Sequence, residues 1–331
     1  MLNTTLKLKD NVFDKDVEQR STREGYGEGL LAVGKADDRV VALSADVTGS
    51  TKTDLFAKEF PERFFQCGVA EQDMAAIAAG FGVSGKIAFI SSYATFSPGK
   101  NWETIRTTIV YNQSNVKIAG HHTGIVTGAD GATHQATEDI AIIRTLPDIQ
   151  VIVPCDSIEA KKATIASVSV DGPIYLRFTR DKTPVMTTDE TPFEIGKAYE
   201  FWKEEKPEVV IFGTGHLLFH ALVAAKELEK VKIAVSVVNV ATVKPLDKTV
   251  IVNMAKKAGA AVCVEDHQIA GGFGSAVAEL LASEYPVPIE FIGLADTFAE
   301  SGKPAELIEK YGLGSNAIKK AVKKVIARKK S

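Results

Sequence analysis

Cysteine is scarce in this sequence: Cys67, Cys155 and Cys263 stand far apart, and none belongs to a C-x-x-C pair. Nothing here reads as a disulfide framework, and a reducing cytoplasm is the expected location. An excess of either charge is also missing. With 39 basic against 42 acidic residues the formal net charge is −3, so there is no global pull towards polyanions, and nucleic-acid or membrane binding would need a local patch. Long apolar runs are missing too. The longest, Met74 to Val83, is broken by Gly80 and Gly82, and the opening MLNTTLKLKDNVFDKD has no apolar core of signal-peptide length. Neither a secretion signal nor a membrane span is expected. No internal repeat or low-complexity segment stands out.

What is present is a chain of 331 residues, 45% of them hydrophobic, enough for about two domains with real cores. Short β-rich runs alternate with helix-length amphipathic segments, the pattern of mainly parallel sheets flanked by helices, so the fold class is α/β. Strands are expected at 40–45, 64–69, 87–91, 116–120, 149–153 and 174–178, then at 209–213, 233–240, 261–265 and 289–292, with a closing helix over 316–328. Between the two groups, DKTPVMTTDETP loses all periodicity and concentrates Pro, Thr and charge, as a connection between domains does. The expected organisation is an extension over 1–19, a first domain over 20–182, a linker over 183–192 and a second domain over 193–331.

Three constellations can carry chemistry. The segment from Gly120 to His134, GHHTGIVTGADGATH, follows a strand and gathers His121, His122, His134 and Asp130 in a glycine-rich loop. Such a loop can bring backbone close to a ligand while its side chains bind hydroxyls or phosphates or move protons. A metal cluster and a purely structural polar loop are the competing readings. In FFQCGVAEQ, Glu71 opens an Ala-rich helix just past a strand; a helix dipole favours an acid there, yet a strand's carboxyl end is also where open α/β sheets bind ligands. Arg23, Ser50 and Arg180 are scattered at strand ends. With His122 they could clamp a phosphate, since Arg binds phosphate as a fork. The weaker features read as structural: His216 and His220 at helical spacing lack a third metal ligand, Gly271-Gly-Phe-Gly-Ser275 suits a tight turn, and the basic tail 319–330 suits a helix C-terminus.

The succession S-T-R-E, A-D-V-T-G-S, G-V-A-E-Q, S-Y-A-T-F, G-H-H-x(7)-D-G-x-T-H-Q, L-x-F-T-R and E-D-H-x(3)-G-G-x-G-S-A-V-x-E resembles the C-terminal half of transketolase. The resemblance covers nearly the whole chain. Residues 20 to 182 resemble the pyrimidine-binding domain of thiamine-diphosphate enzymes, and 193 to 331 the transketolase C-terminal domain. The family's G-D-G-x(25–30)-N metal motif has no counterpart; Asp171-Gly172 is followed by proline and has no Asn at that distance. The resemblance therefore implies one subunit of a split transketolase, inactive alone, with an N-terminal partner supplying the diphosphate and Mg²⁺ site, in an α2β2 heterotetramer. No metal, nucleic acid or membrane is expected on this chain.

The same resemblance implies roles. Glu71 would hydrogen-bond the pyrimidine ring nitrogen of thiamine diphosphate and promote its imino tautomer. Burial would favour the carboxyl group's neutral form there. Tyr93 and Phe96 would be the candidates to pack on the pyrimidine, core packing being the alternative, and Asp46 would lie near the cofactor or else serve a turn. Asp130 would read a donor hydroxyl beside the scissile bond, and His134 would assist proton movement. Arg23, Ser50, His122 and Arg180 match sugar-phosphate contacts, which implies transfer of a two-carbon ketol unit from a ketose phosphate, such as xylulose 5-phosphate, to an aldose phosphate, a pentose-phosphate reaction. Rival readings are 1-deoxyxylulose-5-phosphate synthase, the β subunit of a 2-oxoacid dehydrogenase decarboxylase, and a non-catalytic assembly or regulatory subunit.

Overall fold

A computed structural model describes residues 1–330. Among them fourteen strands form: β1 (Gln19–Ser21), β2 (Val40–Ser44), β3 (Phe64–Gln66), β4 (Ile87–Tyr93), β5 (Val116–His121), β6 (Gln150–Ile152), β7 (Ile174–Arg177), β8 (Lys182–Pro184), β9 (Tyr199–Trp202), β10 (Val209–Gly213), β11 (Val235–Asn239), β12 (Thr242–Lys244), β13 (Ala261–Gln268) and β14 (Ile289–Leu294). Strands such as β2, VVALS, are apolar on both faces because helices cover both sides of a parallel sheet. A seven-stranded sheet has the order β12-β6-β7-β5-β4-β2-β3, and a five-stranded sheet the order β14-β13-β10-β11-β9. Pairing is parallel except at the edges, where β12 and β9 run antiparallel. No helix among the described residues is long and apolar enough to cross a membrane.

The two sheets share a core. One buried cluster contains Val41, Ile118 and Val151 of the larger sheet together with Val210, Phe212 and Val238 of the smaller. The edge strand β12 itself comes from the second half of the chain and pairs with β6. Residues 1–19 also pack there: the Asn3 N–H donates to the Phe201 carbonyl at 2.9 Å, and Val12, fully buried, joins the cluster around Phe201 and Trp202. The segment expected as a linker is tied down. It starts inside β8, which pairs with β1, and the Met186 and Thr187 N–H groups donate to Asp156 at 2.8 and 2.7 Å.

The helix Thr22–Ala36 lies against the helix Ser157–Ser167 so closely that a Cβ on Gly25 would fall 1.8 Å from the Ser157 carbonyl oxygen. Its first turn is fixed by Glu24, which accepts from the Ser21 N–H at 2.7 Å. That cap sets Arg23 at the mouth of the larger sheet. The closing helix, Ser315–Lys330, buries Ile318, Val322 and Val325, while Lys324 and Arg328 pair with Glu290 at 2.8 and 2.7 Å. Its apolar residues thus form one buried face, as their spacing indicated, and these two basic residues pair within the chain.

Candidate active site

From β2 the chain moves to β3 on one side, then returns to β4 on the other. Such a reversal opens a crevice at the carboxyl ends of parallel strands. Around it stand the ends of β2, β4, β5 and β7, which carry most of the residues singled out in the sequence.

Glu71 opens the helix Glu71–Val83 and is only 2% exposed, because Met74, Ala75 and Ala78 of the same helix pull it onto the sheet. Lys100 Nζ donates to Glu71 Oε2 at 2.9 Å, and Asn101 Nδ2 donates to the Glu71 backbone carbonyl at 2.9 Å. Both partners come from the turn after β4. There the Ser97 N–H donates to the Tyr93 carbonyl at 2.8 Å and the Lys100 N–H to the Phe96 carbonyl at 3.1 Å. One compact turn therefore presents Tyr93 and Phe96 and also grips Glu71.

Tyr93 stacks on His122, ring centroids 3.8 Å apart, and on Phe96 at 6.0 Å. His134 meets Tyr93 and Phe96 edge-on at 5.9 and 5.5 Å and contacts Thr133 Oγ1 through Nδ1 at 2.9 Å. His122 is held in the left-handed region, φ 56°, a strained backbone for a non-glycine residue and one typical of functional sites. The following Gly124 permits the fold to close: at φ 71° its missing Cβ would stand 1.9 Å from Asp266 Oδ2 of the second sheet.

The basic residues converge. Arg23 Nη1 donates to the Ser50 backbone carbonyl at 2.8 Å; Arg180 Nη1 donates to the Thr127 carbonyl at 2.8 Å and lies 3.4 Å from Asp130 Oδ1. Burial and the like charge of Arg180 depress the pKa of Arg23, a repulsion that an arriving anion relieves. A cavity of about 550 Å³ opens beside them, lined by Arg23, Arg180, Lys52, Lys182, Lys303 and Glu24. Burial, then the neighbouring Arg23 and Arg180 charges, push His122 down to about 3. Its neutral form is thus the folded one, and folding stability falls as pH drops below the ordinary histidine value, where only the unfolded chain binds the proton. NMR titration of the ring nitrogens should find His122 uncharged from about pH 5 to 8; protonation near pH 6.5 would contradict the site's charge balance.

Several buried polar atoms here have no partner within the protein: Arg23 Nε, His122 Nδ1, Ser92 Oγ, Thr95 Oγ1 and Asn101 Oδ1. Unpaired buried polar groups are costly. Gathered with flat aromatic faces and a buried carboxylate, they fit a planar heteroaromatic cofactor and an anionic substrate.

The structure brings Glu71's turn, Tyr93, Phe96, His122, His134, Asp130, Arg23 and Arg180 into one region. Ser50 joins through its backbone carbonyl. Asp46 stands apart in its contacts: its backbone has φ 58°, and its N–H donates to Gln66 Oε1 at 2.7 Å, a turn role between β2 and β3. Lys100, Asn101, Lys52 and Lys303 escaped the sequence reading. No periodicity or motif links Lys100 to a glutamate so far upstream.

The remaining features are structural. His216 Nε2 sits 3.0 Å from Asp266 Oδ2, and burial, with His216 nearby, pushes His220 down to about 4. The helix Phe273–Glu284 already has an anion at its start: Glu265 accepts from the Phe273 and Gly274 N–H groups at 2.6 and 2.8 Å. Among the described residues no group of three or more His, Cys, Asp or Glu side chains is placed to hold a metal ion.

Comparison with known proteins adds to this geometry. The profile "Transketolase, pyrimidine binding domain" matches residues 18–186, and "Transketolase, C-terminal domain" matches 200–318. A protein of Methanocaldococcus jannaschii named as a transketolase C-terminal section is 43% identical over 306 residues, covering 92% of this chain and 95% of its own length. A 6-deoxy-6-sulfo-D-fructose transketolase subunit of Clostridium sp. (strain MSTE9) is 36% identical, covering 96% of this chain and 98% of its own length. A solved structure described as a split gene transketolase, inactive beta4 tetramer, superposes with a TM-score of 0.87 at 43% identity, covering 93% of this chain and 99% of that one. The chain spans about half, 49%, of the human transketolase that it also matches.

Proposed function

The chain belongs to the transketolase family, and from that premise we propose that it is one subunit of a split, thiamine-diphosphate-dependent transketolase. It would transfer a two-carbon ketol unit from a ketose phosphate to an aldose phosphate. A partner subunit would supply the diphosphate and Mg²⁺ side, in a hetero-oligomer read as α2β2. Relatives that are themselves half-length, and the description of one as a split gene product, support the division into subunits.

The observation that carries the reading is the gathering of Arg23 and Arg180 on one cavity, with Asp130 on Arg180 and His134 against the aromatic turn that grips Glu71. Thiamine diphosphate, when bound, supplies the carbon nucleophile that cleaves the ketose. The chain's own residues do the rest. Glu71 holds or shares a proton at the pyrimidine nitrogen, and Tyr93 and Phe96 offer apolar faces. Asp130 and His134 bind and move protons at sugar hydroxyls, while Arg23 and Arg180 hold the terminal anion. A pyruvate-type donor would leave that cradle unused, which disfavours a 2-oxoacid decarboxylase.

A second reading has support of its own. The cationic lining of the cavity, Arg23, Arg180, Lys52, Lys182 and Lys303, recognises a terminal anion without distinguishing phosphate from sulfonate. A ketose ending in a sulfonate fits it, consistent with the Clostridium relative. The test is ketol transfer from xylulose 5-phosphate to ribose 5-phosphate, with cofactor and Mg²⁺, by this chain co-purified with a candidate N-terminal subunit and by each alone. Activity in the mixture only is expected. An assembled, cofactor-loaded mixture inert towards phosphorylated and sulfonated ketoses would sink the reading.

A further inference from the structure

The turn after β4 does more than display aromatic rings. It reaches back to the helix Glu71–Val83 and holds Glu71 at two points: Lys100 Nζ on Oε2 at 2.9 Å and Asn101 Nδ2 on the backbone carbonyl at 2.9 Å. Asn101 is itself fully buried and is braced by its second contact, Nδ2 to Ser97 Oγ at 3.2 Å within the same turn. The Lys100 contact is of a different kind. The lysine side chain is half exposed, whereas the Glu71 side chain is almost wholly buried, 50% against 3%. The lysine would be well solvated without the pair, but the buried Glu71 carboxylate would not, so the contact gives that carboxylate its counter-ion. It also chooses: one carboxylate oxygen is committed to Lys100, and the carboxyl plane is set by that commitment.

We propose that Lys100 is a positioning residue, which by occupying Oε2 fixes the Glu71 carboxyl group so that Oε1 is the oxygen offered to the pyrimidine ring of the cofactor. This inference rests on the proposed thiamine-diphosphate site and deepens it. A carboxyl group at a helix start has free rotation about its last side-chain bond, and a hydrogen bond to a planar ring nitrogen requires one defined orientation. Lys100 removes that freedom from outside the site, without itself touching the reacting atoms. A lysine is well suited to this, being a long flexible stem with a compact charge that can track one oxygen.

The test compares wild type, Lys100→Met and Lys100→Arg, each assembled with the partner subunit, by calorimetric titration with thiamine diphosphate and by steady-state kinetics. Lys100→Met should weaken cofactor binding and lower kcat, each by roughly ten- to a hundredfold, as the loss of an orienting partner does. The KM for the ketose should stay close to wild type, and Lys100→Arg should restore most of both losses. Thermal melting of each variant excludes misfolding as the cause, and the rescue by arginine is something a merely structural lysine would not produce. Unchanged binding in Lys100→Met overturns the proposal. So does tighter binding, which would make Lys100 a counter-ion that the cofactor must displace. A wild-type complex that binds no thiamine diphosphate refutes the functional reading itself, and Glu71→Gln, run alongside, separates the two failures: a normal Lys100 series with a defective Glu71→Gln removes the positioning role alone.

Discussion

Glu71→Gln in the assembled complex is expected to lower kcat roughly 10³-fold, the middle of the range for removing a group that moves a proton in the rate-determining chemistry. That corresponds to about 4 kcal/mol of lost transition-state stabilisation. The argument is chemical. Glutamine keeps the volume of a side chain that is 2% exposed, and its carbonyl can still accept from Lys100. It cannot, however, pass a proton to or from a ring nitrogen. The fold should not suffer, since the helix start remains packed by Met74, Ala75 and Ala78. The measurement is single-turnover ketol transfer, with cofactor binding followed separately by calorimetry. Undiminished transfer would remove Glu71 from the chemistry and revive the non-catalytic assembly subunit as the reading.

The second large effect concerns stability. Arg177 at the end of β7 is fully enclosed, donating from Nε to Asp139 Oδ2 at 2.7 Å and from Nη2 to Asp139 Oδ1 at 3.0 Å. Its Nη2 also reaches the Ala136 and Asp266 carbonyls at 3.2 and 2.9 Å, so one guanidinium joins the Gly120–His134 region to the second sheet. Burial alone would raise the Asp139 carboxyl, yet the Arg177 charge and hydrogen bonds hold it below the ordinary carboxylate value. The other nearby carboxylates are already engaged, Asp266 by His216 and the Ile125 N–H at 3.0 Å and Glu265 by the Phe273 and Gly274 N–H groups. Asp139→Ala therefore leaves a buried guanidinium without its counter-ion, at a cost of about 3–5 kcal/mol. Scanning calorimetry should show the melting temperature falling by roughly 4–7 °C. Replacing both partners with apolar residues, Asp139→Leu with Arg177→Met, removes the unpaired charge but should recover only part of the loss, because the buried Tyr175 hydroxyl, which donates to Asp139 Oδ2 at 2.6 Å, and the Ala136 and Asp266 carbonyls then lack partners. If Asp139→Ala melts like wild type, the pair is solvated in solution and does not bind the two sheets together.

The long strands and the closing helix were legible because their signals are local. A run such as VVALS at 40–44 or VVIFG at 209–213 is apolar over its full length, as a strand covered on both faces must be. The strands β1, β8, β9 and β12 were not legible. Each has three or four residues, and each exists only because a distant partner satisfies its backbone: β1 pairs with β8, and β12 with β6. For the same reason the sequence could not show that Asp156 fastens the connecting segment after residue 182.

By itself the sequence determined the α/β class, the order of the main elements and the residue types available for chemistry, because hydrophobic period and motif spacing are properties of neighbours along the chain. Only the tertiary structure decided which of those residues meet. It set Arg23 and Arg180 on one cavity close to His122 and put Lys100 on Glu71. Those outcomes depend on how crossovers carry strand ends to one crevice, and on desolvation there. Neither quantity is carried by any single stretch of sequence.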